Sequence, residues 1–362
     1  MFYALLYPLR EYFAVFNIFK YITFRSGAAA VTAFLLSLWL GPKLIAWLRE
    51  LSITACNKRE HAEQIHKFYE GKGSVPTMGG IILIAAISIS MLLWGNLSNK
   101  YTVLSLVVLI WFGGVGFLDD YIKIRSKSSK GLTSATKLGG QLIAGTLLGC
   151  YLYFDSSFDH KIYIPFLKDA SFYLGVFLIP FVICVLVGSS NALNLTDGMD
   201  GLAIGCTLFA AATFAIVSYI TGHHAFTKYL DIPFVASSGE LAVFCSALVG
   251  AGAGFLWFNS FPASVFMGDT GSLSLGGVLG AIAIFIKKEL LLVIVGGVFV
   301  WEALSVILQV ASFKLFKKRI FKMSPFHHHL QLLGWPESKV TVRLWIIAFI
   351  LSIVGLSTLK IQ

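Results

Sequence analysis

Residues 191–220 read NALNLTDGMDGLAIGCTLFAAATFAIVSYI. The last nineteen, 202–220, carry no charged side chain, close to the roughly 20 apolar residues a helix needs to cross a bilayer. The run before the quoted stretch, 172–190, is apolar too. Between them sits a turn rich in Asn, Asp and Gly that contains no lysine. The pattern reads as two membrane helices joined at a polar, chemically loaded turn.

The rest of the chain has the same character. At roughly 150 residues per soluble domain, 362 residues would fit two or three of them. The composition excludes that: 57% of residues are hydrophobic and 13% charged, about half the ~25% charge of soluble domains. Disorder, a collagen repeat and a coiled coil are excluded by the same figures. The expectation is an all-α polytopic membrane protein, one domain over 1–362, with ten spans at 25–48, 76–94, 101–118, 137–154, 172–190, 202–220, 238–257, 273–286, 290–313 and 340–359. Segment 1–21 is apolar but interrupted by Pro8, Arg10, Glu11 and Lys20, so it is expected to lie along the interface. No removable signal peptide is read at the N-terminus. Residues 159–171 alternate around Pro165 and suggest a short hairpin.

The net charge of +10 is read as topology rather than as a sign of a nucleic-acid partner. Of the 28 Lys and Arg, 18 fall on the loops between odd and even spans. That places those loops in the cytoplasm and both termini outside. The five cysteines have no paired spacing and read as small apolar residues.

Unusual polar residues gather in five segments of that same side. Pro76-Thr77-Met78-Gly79-Gly80 opens the second span, either as a helix start with packing glycines or as a place of close ligand approach. Asp119-Asp120 with Lys123 leaves the third span, where adjacent carboxylates meet an unfavourable helix dipole. A solvated helix end would explain them, and so would a divalent cation or a base with a raised pKa. Asn191, Asn194, Asp197 and Asp200 recur every third residue. Phe266-Met267-Gly268-Asp269-Thr270-Gly271-Ser272 sets a carboxylate at the head of a helix, as a plain cap or as a ligand for Mg²⁺ beside free N–H groups. Ser324-Pro325-Phe326-His327-His328-His329 lies among basic residues; zinc is disfavoured, since consecutive His side chains cannot easily face one metal. No Walker A or HExxH pattern occurs. Carboxylates for Mg²⁺ and cations for phosphate oxygens suit phosphoryl transfer, and a bilayer-embedded site implies a lipid substrate.

These five motifs resemble those of the polyprenyl-phosphate N-acetylhexosamine-1-phosphate transferases, in matching order along the spans. The triple His is similar to the muramoyl branch rather than the GlcNAc branch. The resemblance implies transfer of phospho-MurNAc-pentapeptide from UDP-MurNAc-pentapeptide to undecaprenyl phosphate with Mg²⁺, giving lipid I and UMP. It implies a homodimer in the bacterial plasma membrane. Carried onto this chain, Asp119, Asp120 and Asp269 are catalytic, with Asp269 and Asp120 on the metal. Lys72, Thr77, Lys123, Lys137, Asn194, Asp197, Asp200, Asn259, Phe266, His327, His328 and His329 bind substrate, and Asn191 joins them by its spacing. One departure stands out: the family pattern Lys-x-Gly-Thr-Pro is here Lys72-Gly73-Ser74-Val75-Pro76, which leaves Lys67 as a rival to Lys72. A UDP-GlcNAc transferase and a secondary transporter are the competing readings.

Overall fold

The computed structural model describes residues 1–51, 75–126, 131–164 and 171–360. A short N-terminal helix, α1 (Phe2–Leu6), is followed by α2 (Ile22–Glu50), α3 (Gly80–Trp94), α4 (Lys100–Arg125) and α5 (Ser134–Phe154). Two strands, β1 (Lys161–Tyr163) and β2 (Ser171–Tyr173), pair antiparallel with Ile162 opposite Phe172, a hairpin whose second strand runs past the 159–171 expected for it. Then come α6 (Leu178–Thr196), α7 (Leu202–Thr221), α8 (His224–Leu230), α9 (Glu240–Asn259) and α10 (Gly268–Phe285). The chain ends with α11 (Glu289–Val295), α12 (Gly297–Phe316), α13 (Phe326–Leu332) and α14 (Glu337–Ser357).

Among the described residues, eight helices are long and apolar enough to cross a membrane, so the protein is an all-α polytopic membrane protein. Each of the ten expected spans falls on helix, with four differences. The second begins at Gly80 rather than Pro76 and has fifteen residues. Its lead-in is drawn instead into backbone pairing with the segment before α10: Phe266 N–H donates to Pro76 C=O at 2.8 Å, and Gly79 N–H donates to Phe266 C=O at 2.8 Å. The fourth, α5, has the length but carries Lys137, Gln141 and four glycines, and it is not among the eight. The fifth begins at Leu178 rather than 172, because Phe172 and Tyr173 pair in β2. The ninth is split at Gly296-Gly297, where two residues without a Cβ weaken helical continuity.

Helix α10 is the centre. Residues 270–285 are buried along its whole length, and it packs against α3, α4, α6, α7 and α11. A helix that is apolar all round belongs in an interior. Its small residues, including Ser272, Ser274, Gly276 and Gly277, let neighbouring backbones come close, as membrane helix packing requires. Helix α2 packs along α9, and Arg25 forms a bidentate pair with Glu240 at 2.6 Å to each oxygen. The first residues fold onto this corner, with Phe2 and Phe19 against Trp94.

Candidate active site

Helix α4 runs seven residues beyond the apolar run expected of it, which keeps Asp119, Asp120 and Lys123 on helix and beside the start of α10. Asn99 fixes where that helix begins, its side chain accepting from Tyr101 N–H and Thr102 N–H. Both aspartates are 3% exposed. The Asp120 carboxylate caps α10 from outside: Oδ1 accepts from Asp269 N–H at 3.2 Å, and Oδ2 accepts from Thr270 N–H at 2.9 Å and Thr270 Oγ1 at 2.8 Å. The first N–H groups of α10, expected from sequence to be free for phosphate, are therefore taken by a carboxylate. An anion at a helix N-terminus is stabilised there by the helix dipole.

Asp269, in the first turn of α10, gathers the cations. Its Oδ2 lies 2.8 Å from Lys123 Nζ and 2.9 Å from Lys137 Nζ. Its Oδ1 accepts from Asn194 Nδ2 at 2.7 Å, and Asn194 also donates to Ser272 Oγ at 2.8 Å. Asp119 pairs with Lys123 and accepts from Leu132 N–H at 2.8 Å. Oxygens of Asp119, Asp120 and Asp269 lie within 4.8 Å of one another. Such hard oxygen donors fit a divalent cation.

The loop before α10 closes the site from another side. Gly268 has φ +73°, and a Cβ there would run into Asp120 Oδ2 and Thr77 Oγ1. Thr77 thus stands beside Asp120, while Phe266, two residues before Gly268, is half-buried. Asp197, directly after α6, accepts from Gly268 N–H; burial and the charges of Asp269, Asp120 and Asp200 push its carboxyl well above the usual range.

Other expected residues are engaged by the protein itself. Asn191 donates to Gln141 Oε1 at 2.9 Å and to Val187 C=O at 2.8 Å. Asp200 accepts from Ala263 N–H at 3.0 Å. Asn259 accepts from Gly201 N–H at 3.1 Å and donates to Val265 C=O at 2.8 Å. Asp200 and Asn259 tie the 197–201 turn and the 259–266 loop together, while Asn191 ties α6 to α5. Lys72 lies outside the described residues.

The three histidines do three different things. His327, fully buried, faces Glu302: Nδ1 is 3.1 Å from Glu302 Oε2. His328 Nδ1 is 2.9 Å from Gln331 Oε1. His329 Nδ1 accepts from Lys322 N–H at 3.1 Å. Among the expected residues that the structure describes, Asp119, Asp120, Asp269, Lys123, Lys137 and Asn194 contact one another at the carboxylates, and Thr77 stands beside Asp120. Glu302 went unnoticed in the sequence, although one acidic residue inside the apolar run 297–313 was a signal for it. Thr270 and Ser272 carried no such signal.

Residues 101–287 match the model of glycosyl transferase family 4. A phospho-N-acetylmuramoyl-pentapeptide-transferase of Desulfotalea psychrophila is 50% identical, one of Thermodesulfovibrio yellowstonii 49%, and one of Solidesulfovibrio magneticus 48%. Each alignment covers 100% of both chains. With a family model over more than half its length and full-length relatives at about half identity, this chain belongs to the phospho-N-acetylmuramoyl-pentapeptide-transferase family.

Proposed function

We propose that the chain transfers phospho-MurNAc-pentapeptide from UDP-MurNAc-pentapeptide to undecaprenyl phosphate, forming lipid I and releasing UMP. The meeting of three carboxylates with Lys123 and Lys137 at the head of α10 carries this reading. The bias of Lys and Arg to one side supports a cytoplasmic site with both termini outside. We propose that the protein acts as a homodimer.

An oxygen of undecaprenyl phosphate attacks the phosphorus that bears the sugar. The bond from that phosphorus to the bridging oxygen breaks, and UMP leaves with the oxygen. Asp119 orients the acceptor phosphate and takes its remaining proton. Asp269 and Asp120 would hold Mg²⁺, which when bound neutralises pyrophosphate oxygens of the donor. Lys123 and Lys137 offset the charge that gathers on the leaving oxygen, an electrostatic task best done by groups already in place. Phe266 stacks on uracil. Thr77, Asn194, Asp197 and the His run line the donor, with Asn191, Asp200 and Asn259 holding the walls, and Lys72 is a further substrate-binding residue.

The donor is tested by competition. UMP release from UDP-MurNAc-pentapeptide should be unaffected by excess UDP-GlcNAc, and turnover of UDP-GlcNAc in its place would move the chain to the other branch. Direct attack inverts configuration at the transferred phosphorus. Retention would show an aspartyl-phosphate route instead.

A further inference from the structure

Glu302 sits in the apolar helix α12 and is fully buried. A carboxylate at membrane depth is costly unless its oxygens are satisfied. Both oxygens here accept from one residue. Oε1 and Oε2 lie 3.2 and 3.3 Å from His327 N–H, and Oε2 lies 3.1 Å from His327 Nδ1. Oε2 accepts the His327 backbone N–H as well, and as an acceptor towards the ring it meets the N–H on Nδ1. The other ring nitrogen, Nε2, is buried and has no partner among the described residues. It lies against Gly198, where a Cβ would collide with it. Gly198 follows Asp197, which is itself bonded to Gly268 next to Asp269. The unpaired nitrogen therefore points at the turn that borders the carboxylates.

Resting on the reading above, we propose that Glu302 is a positioning residue for the nucleotide donor: it fixes His327 with Nδ1–H inward, so that Nε2 accepts a hydrogen bond from a hydroxyl or imide N–H of the UDP moiety. The acceptor lipid makes no use of this pair. A purely structural role, capping the start of α13, is the rival. Glu302→Gln separates the two. The amide oxygen still accepts the His327 backbone N–H, so the cap survives. Its NH₂ then faces Nδ1 and drives the proton to Nε2, turning the acceptor into a donor.

The test uses the full chain in detergent, with KM for each substrate, kcat and thermal melting. Glu302→Gln should raise donor KM about tenfold, the size of one lost hydrogen bond, and leave lipid KM unchanged. Glu302→Asp, which keeps the charge one methylene further back, should raise it less. His327→Ala combined with Glu302→Gln should be no worse than His327→Ala alone. Additive losses in the double variant, an equal rise in both KM values, or donor KM unchanged in Glu302→Gln would overturn the inference. If Glu302→Gln does not fold, a donor KM in Glu302→Asp equal to wild type would overturn it. Wild-type protein that releases no UMP would instead overturn the functional reading and this inference with it.

Discussion

Asp120 closes the helix on which Thr270 stands. Its carboxylate, near the end of α4, takes both the Thr270 N–H and the Thr270 hydroxyl, at 2.9 and 2.8 Å. The two residues are 150 positions apart in sequence, so the first turn of α10, and with it Asp269, is set by a different helix. Replacing Thr270 by Val keeps the shape and removes the hydroxyl. A hydrogen bond to a charged group contributes about 1.5–3 kcal/mol. Thr270→Val should therefore lower the melting temperature and cut kcat, with donor binding by calorimetry changed less than kcat.

The Arg25–Glu240 pair should behave as a buried ion pair does. Removing one partner leaves the other charge without compensation and typically costs about 3–5 kcal/mol. Arg25→Met should therefore melt far below wild type. Arg25→Met combined with Glu240→Leu should recover most of the loss. A double variant as unstable as the single one would show that the pair is not the source.

The turn between α10 and α11 gives a pH dependence of stability. Burial pushes Lys287 and Lys288 down to about 8, and burial pushes Glu289 up to about 7. A lysine depressed in the fold disfavours the native state while it must stay charged, so stability rises with pH from about 8 towards the unfolded value near 10.5. A raised glutamate acts oppositely, and stability falls as pH climbs from about 4.5 through 7. Melting temperature in detergent should pass through a minimum between pH 7 and 8. A single maximum there would contradict the burial of these groups.

Lys123 and Lys137 are partly exposed, with side chains 32% and 18% accessible. Salt screens such charges, with a Debye length of about 10 Å at 0.1 M. Donor KM should rise steadily between 50 and 500 mM salt, roughly speaking, while lipid KM moves less. A donor KM independent of salt would remove the lysines from donor binding.

Much of this was legible because membrane-depth polar residues are few and costly. The apolar runs located the helices, and Asp119, Asp120 and Asp269, singled out as candidates in the sequence, come together in the fold. What stayed hidden depends on contacts between distant segments. Asp120 as a cap for α10 needs the crossing of α4 and α10, which no spacing reveals. Asn259 and Asp200 look like ligand residues in sequence, yet their side chains hold backbone groups of neighbouring loops. The three histidines look alike in a row, and only the fold separates the one facing Glu302 from the two that face Gln331 and Lys322.

In the proposed function, Asp269 and its neighbours form the centre of transfer to a lipid phosphate. The most direct test of this is UMP release by the purified chain with UDP-MurNAc-pentapeptide, undecaprenyl phosphate and Mg²⁺, for wild type and Asp269→Asn at matched melting temperature. Release that requires both the lipid and Mg²⁺, and falls at least a hundredfold, roughly, in the variant, is the predicted result. Undiminished release by Asp269→Asn, or release without the lipid acceptor, would contradict it.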